Sequence, residues 1–175
     1  MSDDATAGTA AGGFAPTYDE YDEIELMEQA QGNAQAVIIA TVAWLQAQGV
    51  PLDGWAAGIG QRFSTAWGER EPWPANEFLD AMLTNFRSLG AVVEWADLAD
   101  PTVAAATLSN LFIEEHCALF GTDRPHALAY LDATREIAAP RGLVWEWRAD
   151  GDDVQVKVRA EGTGSTVDGD SAPVR

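Results

Sequence analysis

LVWEWRADGDDVQVKVRA, residues 143–160, decides how the rest of the chain must fold. Leu143, Trp145 and Trp147 alternate with Val144, Glu146 and Arg148. Val154, Val156 and Val158 alternate with Gln155, Lys157 and Arg159. A period of two places one set on each face of a strand. Asp150-Gly151 between the runs is a strong short-range hairpin signal. The ribbon has one aromatic and aliphatic face and one largely charged face. The apolar face must be covered, and only helices are available to cover it.

The helices are read upstream. From Glu23 to Gln48, Ala30, Ala34, Val37, Ile38, Thr41, Trp44 and Leu45 follow three- and four-residue spacing, and Gly32 is a point where this helix bends or divides. Gly49-Val50-Pro51 ends it. A second helix carries Leu52, Trp55, Ala56, Ile59, Phe63, Ala66 and Trp67. Its glycines at 54, 58 and 60 each cost about 1 kcal/mol of helicity relative to Ala, which points to close approach of another backbone or a ligand. After the rigid Pro72-Trp73-Pro74, a third helix presents Phe78, Leu79, Met82, Leu83, Phe86 and Leu89, and Gly90 suits its end. Ala91–Trp95 has the character of a short strand. Asp100-Pro101 fits a helix start, with the fourth helix running to Phe120 and stopping at Gly121. Thr122 or Asp123 caps a fifth, with Pro125 in its first turn. The expectation is an α+β domain over residues 21–161, with about five helices on a small antiparallel sheet made of the C-terminal hairpin and one earlier strand. Residues 1–20 and 162–175, poor in bulky side chains, read as disordered tails.

Composition narrows the function. The formal charge is −18, with 28 acids against ten Lys and Arg, and Lys157 is the sole lysine. Such a surface repels phosphate backbones and anionic lipid, so neither nucleic acid nor membrane is an expected partner. A high-salt cytoplasm or a GC-rich genome would each produce this balance. No apolar run reaches the roughly 18–20 residues of a membrane span. The acidic N-terminus lacks the basic start of a signal peptide, so a cytoplasmic location is expected. One cysteine permits no internal disulfide.

Chemically able side chains concentrate in Ile113–Gly121, IEEHCALFG. On a continuous helix Glu115 would share the apolar stripe with Leu108, Leu111, Phe112 and Leu119, and burial would raise its pKa. Cys117 becomes a nucleophile only with a base in reach, and His126, across the 121–125 connection, is the candidate. A lone cysteine is more often a small buried hydrophobe. Two histidines are few for a metal, the helical His-Glu-x-x-His pattern is absent, and no metal or cofactor is expected. The seven Trp either build an aromatic core or line a cavity.

Helices, a strand, two helices and a hairpin, with a lone cysteine before the last helix, form an order over residues 35–160 similar to the vinyl-reductase-type ligand-binding domains and the related thiazoline-carboxylate hydrolase-like proteins. Where those families carry further cysteines near the final strands, this chain has Val, Gln and Lys, so the likeness transfers no site residue. Three functions follow as expectations. The first is a non-catalytic small-molecule-binding or sensory domain. Its pocket for an apolar or aromatic ligand would lie between the fourth helix and the hairpin, lined by Trp44, Trp67, Glu115, His116, Cys117, Tyr130 and Trp145. The second is a protein-interaction module, binding a protein partner or its own copy. The third is a hydrolase using Cys117 and His126. An interaction module would show a filled interior and an exposed apolar patch beyond a few hundred Å².

Overall fold

The computed structural model describes residues 22–68 and 71–162; the N-terminal tail, and the C-terminal tail from residue 163, lie outside the described residues. The C-terminal ribbon forms as its alternation requires. Strands β3 (Leu143–Asp150) and β4 (Asp153–Ala160) pair in eight unbroken steps from Leu143↔Ala160 to Asp150↔Asp153. Gly151 opens the two-residue turn at φ +60°, a conformation glycine adopts without penalty and the one a tight hairpin needs at that position. Trp145, Val154, Val156 and Val158 are buried beneath helices, while Glu146, Arg148 and Lys157 face solvent.

The α+β class is as expected, but the sheet has four strands rather than three, in the order β1-β2-β4-β3 and antiparallel throughout. β1 spans Val92–Asp100 and β2 spans Val103–Ser109. The helix expected from Asp100 to Phe120 is therefore a correction. Asp100 and Pro101 make a turn instead. The Asp100 carboxylate accepts from the Thr102 N–H and hydroxyl, both at 2.7 Å, and the Pro101 carbonyl accepts from the Ala75 N–H at 2.7 Å. The same Asp-Pro pair serves a helix start or a turn, and tertiary partners choose. Ala104, Ala106 and Leu108 then point inward in strict alternation, and Ser109 closes the strand. Of the expected helix only α4 (Glu114–Leu119) survives.

The helices occupy one face of the sheet. α3 (Ala75–Ser88) lies over β1, β2 and β4. Its Phe78, Leu79, Met82, Leu83 and Phe86 are buried, and the Phe86 ring sits 6.1 Å from that of Trp145. Each such side chain contributes roughly 1.5–3 kcal/mol on burial. The fifth helix is broken into α5 (Arg124–Leu128), a 3-10 turn (Ala129–Asp132) and α6 (Ala133–Ala138), with Asp123 capping as read. α6 packs on β3, and α2 (Leu52–Ala66) packs on α6. Gly60 explains part of the glycine content of α2: a Cβ there would lie 2.2 Å from the Ala133 carbonyl oxygen, so the helices touch backbone to backbone. Gly54 faces open space and has no such role.

α1 (Glu23–Ala47) is a single 25-residue helix, undivided at Gly32 and started by a capping box in which Asp22 and Glu25 exchange hydrogen bonds. It lies on the outside of the helical layer, touching α2, α4 and α5. Only Gln35, Ile39, Val42 and Leu45 are buried, and residues 22–30 are exposed throughout.

Candidate functional site

The stretch that concentrates reactive side chains is the short helix α4, entered through a sharp corner. After β2 the chain passes through Asn110 at φ +58° and Phe112 at φ +52°, a left-handed conformation uncommon for asparagine and costly for a bulky aromatic. Gln35 of α1 holds this corner. Its amide donates to the carbonyls of Leu89 (2.7 Å) and Asn110 (3.2 Å), and its Oε1 accepts from the Phe112 N–H at 2.8 Å. Arg124 braces the other side: its guanidinium donates to the carbonyls of Leu111, Gly151 and Asp152 at 3.4, 2.8 and 2.8 Å. One buried cation thereby ties the corner to the hairpin turn.

Cys117 is 0% exposed, and its thiol donates to the Phe112 carbonyl at 3.6 Å. Desolvation, followed by the nearby Glu114 carboxylate, pushes it up to about 11, so at neutral pH it is a protonated thiol. His126 is exposed at the start of α5 with Nδ1 2.6 Å from Asp123 Oδ1, and its N–H to the same carboxylate is the main reason Asp123 is held below the ordinary range. No hydrogen bond joins Cys117 to either imidazole. Among the described residues no group of three His, Cys, Asp or Glu converges to hold a metal.

The residues expected to share one pocket do not share one. Trp44 is 60% exposed on α1, Glu115 and His116 face solvent on α4, and Trp145 is buried in the core. The reason is the lost fourth helix: the space expected between it and the hairpin is occupied by Ala104, Ala106, Leu108 and the β4 valines under α3. Trp67 and Tyr130 do come together, on a pocket of about 180 Å³ between α2, α3 and α6 that Phe63, Met82, Phe86 and Ile137 complete. Burial raises the pKa of Tyr130 there.

The larger concavities flank the overhanging half of α1. One, about 860 Å³, runs between α1 and α4 and is lined by Glu25, Leu26, Glu28, Asn33, His116, Leu119 and Phe120, among others. A second, about 410 Å³, lies between α1 and the corner, where Gln31, Gln35, Asn110, Ile113 and His116 line it. His116 borders both. Most walls of the first are exposed side chains, so it is a groove rather than a cavity.

α1 also carries the feature that periodicity alone misassigned. Ala30, Ala34, Val37, Ile38, Thr41, Trp44 and Leu45 read as one periodic set, yet only Leu45 of these is buried, Val37 (67%) and Trp44 (60%) are exposed, and the inner face is Gln35, Ile39, Val42 and Leu45. α1 has two apolar faces. Among the described residues, five of the eleven exposed large hydrophobic side chains, Ile24, Leu26, Met27, Val37 and Trp44, belong to it, and two more, Leu119 and Phe120, stand across the groove. From Gln29 to Leu52 no residue is charged, in a chain with 38 charged side chains.

No protein-family model, curated protein or solved structure matches this chain. The element order behind the likeness to ligand-binding and hydrolase-like domains also included the helix that β2 and the corner after it partly replace.

Proposed function

We propose that this protein is an interaction module that engages a protein partner through the solvent-facing side of α1 and the adjoining α4 groove. The observation that carries this reading is the uncharged run Gln29–Leu52, which places an apolar helix face in solvent on a chain of net charge −18. A helix that is apolar on both sides belongs between two packed layers, and the described residues supply only one. Ile24, Leu26, Met27, Val37 and Trp44 are all exposed on this one helix.

Two features weigh against the alternatives. Small-molecule sites enclose most of their ligand in roughly 300–1,000 Å³. The Trp67–Tyr130 pocket, at about 180 Å³, is smaller, the α1–α4 groove is open along exposed walls, and the hollow of about 410 Å³ beside the corner is walled largely by polar side chains, Glu28, Gln31, Gln35, Asn110 and His116 among them. A hydrolase built on Cys117 needs a thiolate in contact with a base, whereas this thiol is buried and protonated.

Site-specific photo-cross-linking in the producing cell tests the proposal. A photo-reactive phenylalanine analogue at Leu26, Val37 or Trp44 is expected to give adducts to one common partner, identified by mass spectrometry. The same group at exposed Glu77 on α3 is expected to give none. Absence of adducts at all three α1 positions overturns the reading.

A further inference from the structure

Resting on that reading of α1, we infer that the partner is a second copy of this chain, docked with the two α1 helices antiparallel about a two-fold axis at Val37. The outward residues of α1 are Leu26, Ala30, Asn33, Val37, Ala40, Trp44 and Ala47, all exposed except the half-buried Ala40. Their spacing alternates four and three, the heptad seam that a helix presents to another helix.

Charge selects the occupant. Two molecules of net charge −18 repel, and repulsion is least where neither surface bears charge. The α1 face beyond Glu28 meets that condition on both sides of a self-contact. A basic partner would instead need acids along this face to grip, and α1 carries them only at its N-terminal end, at Glu23, Glu25 and Glu28.

Charge and size together select the direction. The charges of α1 are Glu23, Glu25 and Glu28, all at its N-terminal end. A parallel pair would stack these acids on one another. An antiparallel pair sets each acidic end beside the uncharged end of the other helix and also opposes the helix dipoles favourably. With Val37 on the axis, Ala30 faces Trp44, Asn33 faces Thr41 and Leu26 faces Gln48. The largest side chain thus meets one of the smallest, twice, by symmetry, as a self-complementary interface requires. The same arrangement carries Ala47 and the 40% exposed Val50 of one copy toward Leu26, Leu119 and Phe120 of the other.

Sedimentation equilibrium of the purified full chain tests this, with cross-linking to fix direction. A monomer–dimer equilibrium that tightens as salt rises is expected, because salt screens the repulsion and strengthens apolar association. V37E is expected to weaken it by at least about tenfold, since it sets two carboxylates against each other on the axis. A dimer that survives V37E overturns the proposal. V37C, in a chain whose other thiol is buried, is expected to cross-link to itself through a short bis-maleimide. A30C is not, because antiparallel helices hold the two thiols about 21 Å apart along the axis at 1.5 Å per residue. Cross-linking of both variants means parallel helices and overturns the arrangement. If the chain stays monomeric in low and high salt with V37C uncross-linked, self-docking is overturned. Adducts to a different protein at Leu26, Val37 and Trp44 would then still sustain the interaction reading.

Discussion

The two hairpins of the sheet solve the same problem with different turns, and the difference runs through the molecule. In β3–β4 the turn is Gly151-Asp152, with the positive φ that matches strand twist, and eight pairs follow in perfect register. In β1–β2 the turn is Pro101-Thr102. Proline fixes a negative φ at its first position, the geometry that splays strands rather than following their twist. The register between β1 and β2 slips twice, between Asp97 and Asp100 and between Val93 and Trp95. The slipped hairpin forms an edge of the sheet, where bulges and acidic residues discourage pairing with another chain. Turn geometry sets the register of the first hairpin, while outside contacts choose the turn of the second.

The dependence on outside contacts can be tested first where it is least expected. Arg124 grips the turn of the well-formed hairpin from outside, through the Gly151 and Asp152 carbonyls. If β3–β4 were self-sufficient, removing that grip would cost little. Arg124 also holds Leu111 in the corner, so Arg124→Ala is expected to destabilise the fold by about 3 kcal/mol, through loss of several charge-assisted hydrogen bonds from a buried side chain. Chemical denaturation reads this directly. Arg124→Lys is expected to recover only part, because one ammonium cannot span carbonyls that a planar fork reaches together. A loss under 1 kcal/mol would show that the hairpin needs no brace.

The second prediction concerns why β2 is a strand at all. Its inward residues are Ala104, Ala106 and Leu108, and α3 rests across them. Alanine favours helix, and the run Val103–Leu108 has no Gly or Asn to mark a hairpin. This is why periodicity over 101–120 suggests one long helix: three alanines in a row satisfy a period of 3.6 as readily as a period of two. The alanines serve packing instead, letting α3 lie close to the sheet. Ala106→Leu, which raises strand-compatible bulk but overfills that contact, is expected to cost about 2 kcal/mol. A neutral or stabilising result would mean the α3–β2 interface has slack.

How much was legible follows from the same contrast. The C-terminal hairpin, the first three helices, a cap at Thr122 or Asp123 and a close approach at one of the α2 glycines were all written in local pattern. The β1–β2 turn was not, because Asp100-Pro101 is chosen by Ala75, which donates to the Pro101 carbonyl. The expected ligand pocket failed for that reason: it required a helix whose residues instead became strand and corner. On α1 the helical period was legible, but the periodic set mixed the buried Leu45 with the exposed Val37 and Trp44. Ala30, Val37 and Trp44 make a regular stripe, but Gln35, polar and one position off it, points inward because three main-chain groups at the corner need its amide. A buried glutamine leaves no signature in hydropathy. The available signal was the absence of charge from Gln29 to Leu52, which marks a helix with no solvent face of the ordinary kind.

The smallest expected effect isolates the turn of the dependent hairpin. Asp100 accepts hydrogen bonds from the Thr102 N–H and hydroxyl, and these hold its carboxyl below the ordinary 3.8. A carboxylate with a lowered folded pKa stabilises the fold above its unfolded value, and that contribution is lost as pH falls through the folded one. Asp100→Ala is therefore expected to lower the melting temperature slightly at pH 7. The gap to wild type should begin to close as pH drops below about 4 and vanish once the wild-type carboxyl is protonated. The group is exposed, so solvent limits the effect, and Pro101 together with the Ala75 contact still sets the chain direction. A gap that persists unchanged into acid would mean that Asp100 acts through its shape rather than its charge. The β1–β2 turn would then be held from outside alone, with nothing contributed by its own ionised side chain.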